Sequence, residues 1–357
     1  MQETPSTPLD ELDLSRVLDR VVVSEEAAGR SDTQQILDRA TDAGLTLVET
    51  LPELDDKSIN QRYRTEKETL FLRVNKGSFI KPWESPEEIV GRDEWCLTPV
   101  EGCPLDCSYC YLQDYLDRPL IQVFVNQEKI PKHIRGFLED PPEEPPHFFS
   151  LGELSDGLFL EPLVRTIPRV WEVFRDSQAK VEIRSKSHHV HGLASRLDPH
   201  SNGVFTWTLS PKGFDQRNEM LTAPFEKRLN AMKHMLDSGF RVSARIDPIL
   251  LTDDWFNRYS NLIEEMDRYL DLSDLTFLLL GVFRFPKGFD RTMEERFSNR
   301  DFLRDEFVEG PDGKLRYARD LRTRVYERLG SVVRDFDGDP NLCMEPEYVW
   351  EDAGFMD

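Results

Sequence analysis

The chain has 357 residues, with 67 Asp and Glu against 45 Lys and Arg, a formal net charge of −22. No apolar run approaches the roughly 18 residues of a membrane span, five cysteines are too few for a disulfide scaffold, and so acidic a chain is a poor electrostatic footprint for a nucleic-acid binder. The N-terminus has neither a basic start nor an apolar stretch, so no signal peptide is read there, and a cytoplasmic protein with reduced thiols is expected. Abundant acid beside only 13 Lys is the composition expected of a high-salt cytoplasm.

Residues 1–18 read as an acidic mobile leader; the first 60 residues carry 14 acidic and 5 basic side chains. Arg20-Val21-Val22-Val23 reads as a buried strand, 31–43 as a helix capped by Ser31 or Asp32, and 45–51 as a strand, which makes a small βαβ unit. A strand at 69–75 and a loop marked by Pro82, Pro86 and Gly91 complete an N-terminal α/β unit over 19–95. Strands then alternate with helices: 121–126, 132–139, 147–151, 160–175, 180–185, 189–197, 204–209, 225–238, 240–246, 255–270 and 275–283. Prolines at 141–146 read as a solvated connector. Six strands alternating with helices predict a parallel sheet with right-handed crossovers, and active-site residues at the C-terminal strand ends. Residues 291–357 read as a helical C-terminal extension.

The densest chemistry is Cys103-x3-Cys107-x2-Cys110, three thiols in one loop. Converging thiolates bind an inorganic centre, and three ligands leave one iron of a [4Fe–4S] cube open. Cys96 as a fourth ligand would instead close a zinc or iron–sulfur site. Zinc ribbons use two separated pairs, and no second pair stands here.

With an aromatic before its last cysteine, this motif resembles that of the radical S-adenosylmethionine superfamily. The resemblance implies a [4Fe–4S] cluster on Cys103, Cys107 and Cys110, S-adenosylmethionine on the open iron, a 5′-deoxyadenosyl radical that abstracts hydrogen, and a partial (β/α)6 barrel, placed over 96–290. A narrower resemblance, to spore photoproduct lyases, runs through 20–23, 33–39, 107–113, 121–126, Ser185-Lys186, 205–210, Ile246-Asp247-Pro248 and 275–285. It implies DNA carrying a thymine photoproduct as partner, and a one-electron reductant such as flavodoxin or ferredoxin.

Carried across residue by residue, the resemblance places Tyr109 by the adenine and makes Tyr109 and Tyr111 relay tyrosines. Gly152 and Glu153 match a motif that engages the cofactor's ammonium, Lys186 a lysine that engages its carboxylate, and Thr208 a hydroxyl residue that touches it. Ser155 and Asp247 complete the expected cofactor-binding set, although the position of Asp247 is not acidic in the lyases. One departure stands out. The lyases carry a hydrogen-donating cysteine three residues before an Asp, and here Glu153 precedes Asp156 at that spacing. A carboxyl O–H bond is too strong to give hydrogen to a carbon radical, so Cys343 is the candidate donor and Cys96 a weaker one. His188, His189 and His191 form a candidate metal cluster, Arg245, Arg284 and Lys287 candidate phosphate contacts, and the helix around 319–328 a basic candidate for nucleic acid. Three functions follow: a lyase acting on a pyrimidine lesion, a radical enzyme acting on a small molecule or peptide, and an iron–sulfur or zinc binding protein without radical chemistry.

Overall fold

The computed structural model describes residues 14–91, 93–142, 144, 146–298 and 301–356. In chain order the strands are β1 (Arg20–Val23), β2 (Thr46–Val48), β3 (Thr69–Arg73), β4 (Ile80–Trp83), β5 (Glu94–Leu97), β6 (Val100–Glu101), β7 (Ile121–Phe124) and β8 (Phe148–Leu151). They continue as β9 (Lys180–Ser185), β10 (Gly203–Thr208), β11 (Val242–Ile249), β12 (Leu278–Val282), β13 (Arg284–Pro286), β14 (Phe307–Glu309), β15 (Lys314–Tyr317) and β16 (Pro340–Leu342).

β10 is apolar or small along its length and buried at every residue, as expected of a strand covered on both faces. It centres a sheet ordered β16-β12-β11-β10-β9-β8-β5-β4, in which β5, β8, β9, β10, β11, β12 and β16 run parallel and β4 antiparallel at one edge. A second sheet, β2-β1-β3-β7-β6, carries the N-terminal βαβ unit. A third, β13-β15-β14, is antiparallel. Close packing shows at Gly203, where a Cβ would stand 2.1 Å from the Trp171 ring of the helix Ile167–Phe174.

Several expectations change. The strand at 121 is β7, which pairs with β3 in the N-terminal sheet, while β5, just before the cysteines, and β16 join the other five expected strands to make seven parallel strands. The units read as 19–95 and 96–290 therefore interleave. The helix expected over 189–197 is a series of turns, with Gly192 at φ +67° and the His189 amide donating to Ser187 Oγ. The helix expected over 160–175 breaks at Arg165, whose φ is +56°. The C-terminal extension is not only helical: it supplies β14, β15 and β16, beside the helices Arg319–Arg334 and Glu347–Asp352. Residues 1–13 of the expected leader lie outside the described residues; Leu14, Val17 and Leu18 are buried rather than free.

Candidate active site

The cysteine loop leaves β6 at Gly102, whose φ is +92° and where a Cβ would stand 2.3 Å from the Leu120 carbonyl oxygen, so only glycine fits. The loop is clamped on every side. The Gly102 amide donates to the Leu154 carbonyl (2.9 Å), and Ser155 Oγ donates to the Gly102 carbonyl (2.9 Å). Lys67 donates to the Cys103 carbonyl (2.8 Å), Gln113 to that of Cys107 (2.8 Å), and Arg296 grips Asp106 with both oxygens (3.0 and 3.1 Å). Ser108 binds Asn218 through both its amide and its hydroxyl (2.8 and 2.9 Å).

Burial pushes all three thiols up, Cys103 to about 12; Cys110 adds to the rise at Cys103, and Cys103 and Cys110 add to it at Cys107, which places them within electrostatic reach. Lys67 opposes this at Cys103 and Cys110, and Lys186 at Cys107 and Cys110. Three thiols in one loop, Cys107 buried and Cys103 and Cys110 half-buried, become thiolates together only around a strongly cationic centre. Among the described residues no three His, Cys, Asp or Glu side chains are set to hold a single metal ion. A cube bound at three different irons spaces its thiolates more widely than one ion does, so the donor set fits a cluster better than zinc.

Beside the loop, the Tyr109 hydroxyl donates to the buried carboxylate of Glu219, which also accepts from Ser210 (2.9 Å) and pairs with buried Arg228 (2.6 Å). Burial would raise the Glu219 carboxyl, but Arg228 and Lys186 outweigh it and hold the group at about 2. Lys186 Nζ stands 5.7 Å from the centre of the Tyr109 ring. Its amide donates to Asp156 (2.7 Å), as do the hydroxyl of Ser185 (2.7 Å) and the amides of Leu158 and Phe159 (3.0 and 2.8 Å). Asp156 thereby ties the loop after β8 to the end of β9. Gly152 opens that loop at φ +111°, where a Cβ would stand 2.4 Å from the Arg184 carbonyl oxygen. Thr208, at the end of β10, is buried, and its carbonyl accepts from Arg228 (3.0 Å).

The barrel interior is a chain of ion pairs. The Tyr111 hydroxyl donates to Glu153 (2.9 Å), whose other oxygen accepts from Arg184 (3.0 Å). Arg184 also binds Glu94 (2.6 Å) and Glu182 (2.8 Å), and Glu182 accepts from Arg245 (3.0 Å). Asp247 takes both amines of Arg284 (3.2 Å each), over Gly281, where a Cβ would collide with the Asp247 carboxylate. Cys343 ends the row, 3.5 Å from Arg284 and 3.8 Å from Arg245, its thiol pushed up to about 11 by burial and Asp247 against the pull of the arginines. Cys96 on β5 accepts from Ser150 (3.7 Å); burial lifts it to about 11, with Glu153 adding to the rise.

Sequence reasoning missed Glu219, Arg228, Arg184 and Arg296, because no local motif marks a partner that only folding brings in, and it met Asp156 as the marker beside Glu153 without giving it a role. Other candidates dissolve. His189 bonds the Phe159 carbonyl (2.8 Å), and no metal-binding set forms among the described residues. The basic helix spends four of its five arginines within the molecule, Arg322 on Glu345, Arg319 on Asp352, Arg328 on the Phe256 ring and Arg334 on the Phe355 ring, and leaves Arg324 exposed. Arg245 and Arg284 are held by carboxylates, and Lys287 pairs with Glu309 (2.6 Å).

The chain resembles known proteins over most of its length. The chain is 27% identical to the spore photoproduct lyase of Bacillus subtilis (strain 168), over 87% of this chain and 93% of that one. It is likewise 27% identical to the spore photoproduct lyase of Geobacillus sp. (strain Y412MC61), over 76% of this chain and 80% of that one. A solved spore photoproduct lyase carrying a cysteine-to-alanine change, in complex with the dinucleoside spore photoproduct, superposes with a TM-score of 0.77 at 23% identity, covering 91% of this chain and 98% of the other. No helix among the described residues is long and apolar enough to cross a membrane. With the spore photoproduct lyase family model matching residues 18–317, the chain belongs to that family of radical S-adenosylmethionine enzymes.

Proposed function

We propose that this enzyme repairs or otherwise transforms a pyrimidine photolesion in DNA, with a [4Fe–4S] cluster on Cys103, Cys107 and Cys110 and S-adenosylmethionine beside it. The observation that carries this reading is the clamped loop of three neighbouring thiols flanked by Tyr109 and Lys186, in a chain of this family. When bound, cluster and cofactor supply a 5′-deoxyadenosyl radical that takes hydrogen from carbon. The chain's own residues do the rest. Lys186 meets the cofactor's carboxylate. The open backbone at Gly152 and the free lone pairs of Glu153 face its ammonium, since a carboxylate offers about four acceptor sites and Tyr111 and Arg184 occupy two. Ser155 steadies the cluster loop through Gly102, and Thr208 lines the pocket. Asp247, already paired with Arg284, acts as a charged wall.

Glu153 cannot return hydrogen, so we assign that step to Cys343, whose buried thiol stays protonated, the form a hydrogen-atom donor needs. Tyr109 and Tyr111 relay the radical, and a small flavodoxin or ferredoxin in the cytoplasm supplies the electron. Anaerobically reconstituted protein with dithionite should form 5′-deoxyadenosine, and DNA carrying the photoproduct should lose it. Cys343→Ala should abolish deuterium return from labelled thiol; unchanged return there and loss in Cys96→Ala would move the role to Cys96. A second reading, a polar small molecule or peptide as substrate, is favoured by the ionic barrel interior. It prevails if cofactor cleavage occurs and irradiated oligonucleotide neither increases it nor is changed.

A further inference from the structure

Three neighbouring arginines depart from the pattern of the interior, where guanidinium groups are sunk against carboxylates. Arg39 comes from the N-terminal helix Ser31–Asp42, Arg165 from the break between the helices Glu161–Val164 and Ile167–Phe174, and Arg196 from the turns after β9. Backbone carbonyls fix two of them: Arg39 Nε donates to that of Leu163 (2.6 Å) and Arg196 Nε to that of Gly192 (2.8 Å). The terminal amines of both have no partner among the described residues, and there the side chain of Arg165 makes neither a hydrogen bond nor an ion pair. Burial pushes the Arg39 guanidinium down, and Arg165 and Arg169 add to the fall. Burial also lowers Arg196, with Glu161 opposing and Arg165 adding to the fall. Arg165 therefore stands within electrostatic reach of both other arginines, across elements far apart in sequence.

The nearby carboxylates do not cancel these charges. Asp32 gives both oxygens to Arg169 (3.1 and 3.2 Å), and Asp38 accepts from Gln34 on its own helix (2.7 Å). Glu161 is buried, its carboxyl lifted to about 7 by that burial, and it accepts from the Ile167 amide (3.1 Å). Arg165 also carries backbone strain: its φ of +56° is a left-handed conformation that glycine takes freely and arginine does not. An unpaired arginine held in that conformation beside two like charges is a local conflict that a bound anion resolves. The place suits a ligand of the active site. The segment after β8 carries Gly152, Ser155 and Asp156 before Arg165, and the segment after β9 carries Lys186 before Arg196. The arginines thus lie on the crossovers that leave the strand ends presenting the site, and Glu161 lines one pocket with Gly152, Ser155 and Asp156.

We propose that Arg39, Arg165 and Arg196 form a seat for a backbone phosphate of a nucleic-acid strand, on the flank of the barrel. Planar guanidinium forks match phosphate oxygens two at a time, and three from separate segments reach one phosphate from different sides. A strand is favoured over a small phosphate compound because Arg165 and Arg196 are exposed, as contacts to a passing backbone are. The nucleic-acid occupant rests on the function proposed above; the arginine cluster rests on the fold. It explains how a chain of net charge −22 meets a polyanion, with cations grouped and left unneutralised at one place rather than a basic surface.

Two measurements on the reconstituted holoenzyme test it. In the first, arginines of the wild type are lightly modified with phenylglyoxal, with and without a short undamaged oligonucleotide, and read by mass spectrometry. The oligonucleotide should slow modification of Arg165 and Arg196 about five-fold and leave Arg268, paired with Glu264 on the helix Trp255–Leu270, unchanged. Equal slowing at all three, or slowing at none, overturns the seat, and slowing by inorganic phosphate but not by the oligonucleotide overturns the strand as its occupant. In the second, affinity for the same oligonucleotide is followed against KCl. Arg165→Gln combined with Arg196→Gln should weaken binding about five-fold and make the salt slope shallower by about one. The corresponding pair of lysine substitutions should keep the slope, and Arg268→Gln should change neither quantity. A wild-type slope in the double glutamine variant overturns the seat. Protection and binding with the photoproduct left unchanged support the seat while removing the lesion as substrate.

Discussion

The most consequential residue that no motif announces is Glu219. It receives the Tyr109 hydroxyl, faces Lys186 and neutralises Arg228, all in a site without solvent. Glu219→Gln leaves the Arg228 charge buried and unpaired, which costs about 3–5 kcal/mol. A urea titration should show that loss together with release of Tyr109; wild-type stability would mean that Arg228 finds another partner. Glu219 and Glu161 also give stability opposite pH dependences. Glu219 is depressed to about 2, so its contribution is complete above the ordinary carboxyl value near 4.5 and is lost as pH falls toward 2. Glu161 is raised to about 7 by burial, against the amides of Ile167 and Thr166 and the charges of Arg196 and Arg165, and one of its oxygens has no partner. Its contribution is complete below 4.5 and is lost as pH rises through 7, on the order of 3 kcal/mol in all. Glu161→Gln should therefore gain on wild type between pH 5 and pH 8 in paired urea melts, and parallel curves would refute a titrating carboxyl there.

At the level of elements, the cysteine loop depends on a tight backbone passage at Gly102 as well as on its side-chain clamps. At Gly102 a methyl group would meet the Leu120 carbonyl oxygen at 2.3 Å, with backbone on both sides unable to yield. Gly102→Ala should cost several kcal/mol and, because the strain falls one residue before Cys103, should reduce iron and sulfide content after anaerobic reconstitution more than it reduces helicity. Full cluster loading in that variant would show that the loop relaxes. The same region shows what the sequence reveals and what it hides. β1, β9 and β10 are legible because unbroken apolar or alternating runs are bounded by polar turns. β5 is not, because Glu94-Trp95-Cys96-Leu97 turns a carboxylate into the barrel, where Arg184 neutralises it, and such a strand lacks the apolar signature. The stretch 189–197 has helical spacing but gives its polar side chains to backbone partners instead. Of the site, Cys103, Cys107, Cys110, Tyr109 and Lys186 carry local motifs, whereas Glu219 and Arg296 act across 110 and 190 residues of sequence and are visible only in the fold.

For the molecule as a whole, the shortage of lysine has a structural cause that composition alone does not suggest. Arg184, Arg228, Arg245, Arg284, Arg296, Arg316 and Arg322 are each sunk against carboxylates, where a planar fork of donors satisfies two oxygens and an ammonium does not. Seven of the 32 arginines are held this way, so part of the Arg-rich balance follows from the ion-paired interior. The net charge is a separate matter. Interior acids such as Glu182, Asp247 and Glu219 are matched locally, so the excess behind −22 lies outside the ion-paired interior and repels itself over the distance that salt allows. That distance is about 30 Å at 0.01 M salt and about 3 Å at 1 M. The melting temperature should therefore rise by several degrees as KCl is raised across that range, while the buried pairs, screened much less, stay intact. A melting temperature that is flat or falling across the titration would mean that surface repulsion is negligible, and that the acidity neither limits stability in dilute buffer nor adapts the protein to salt.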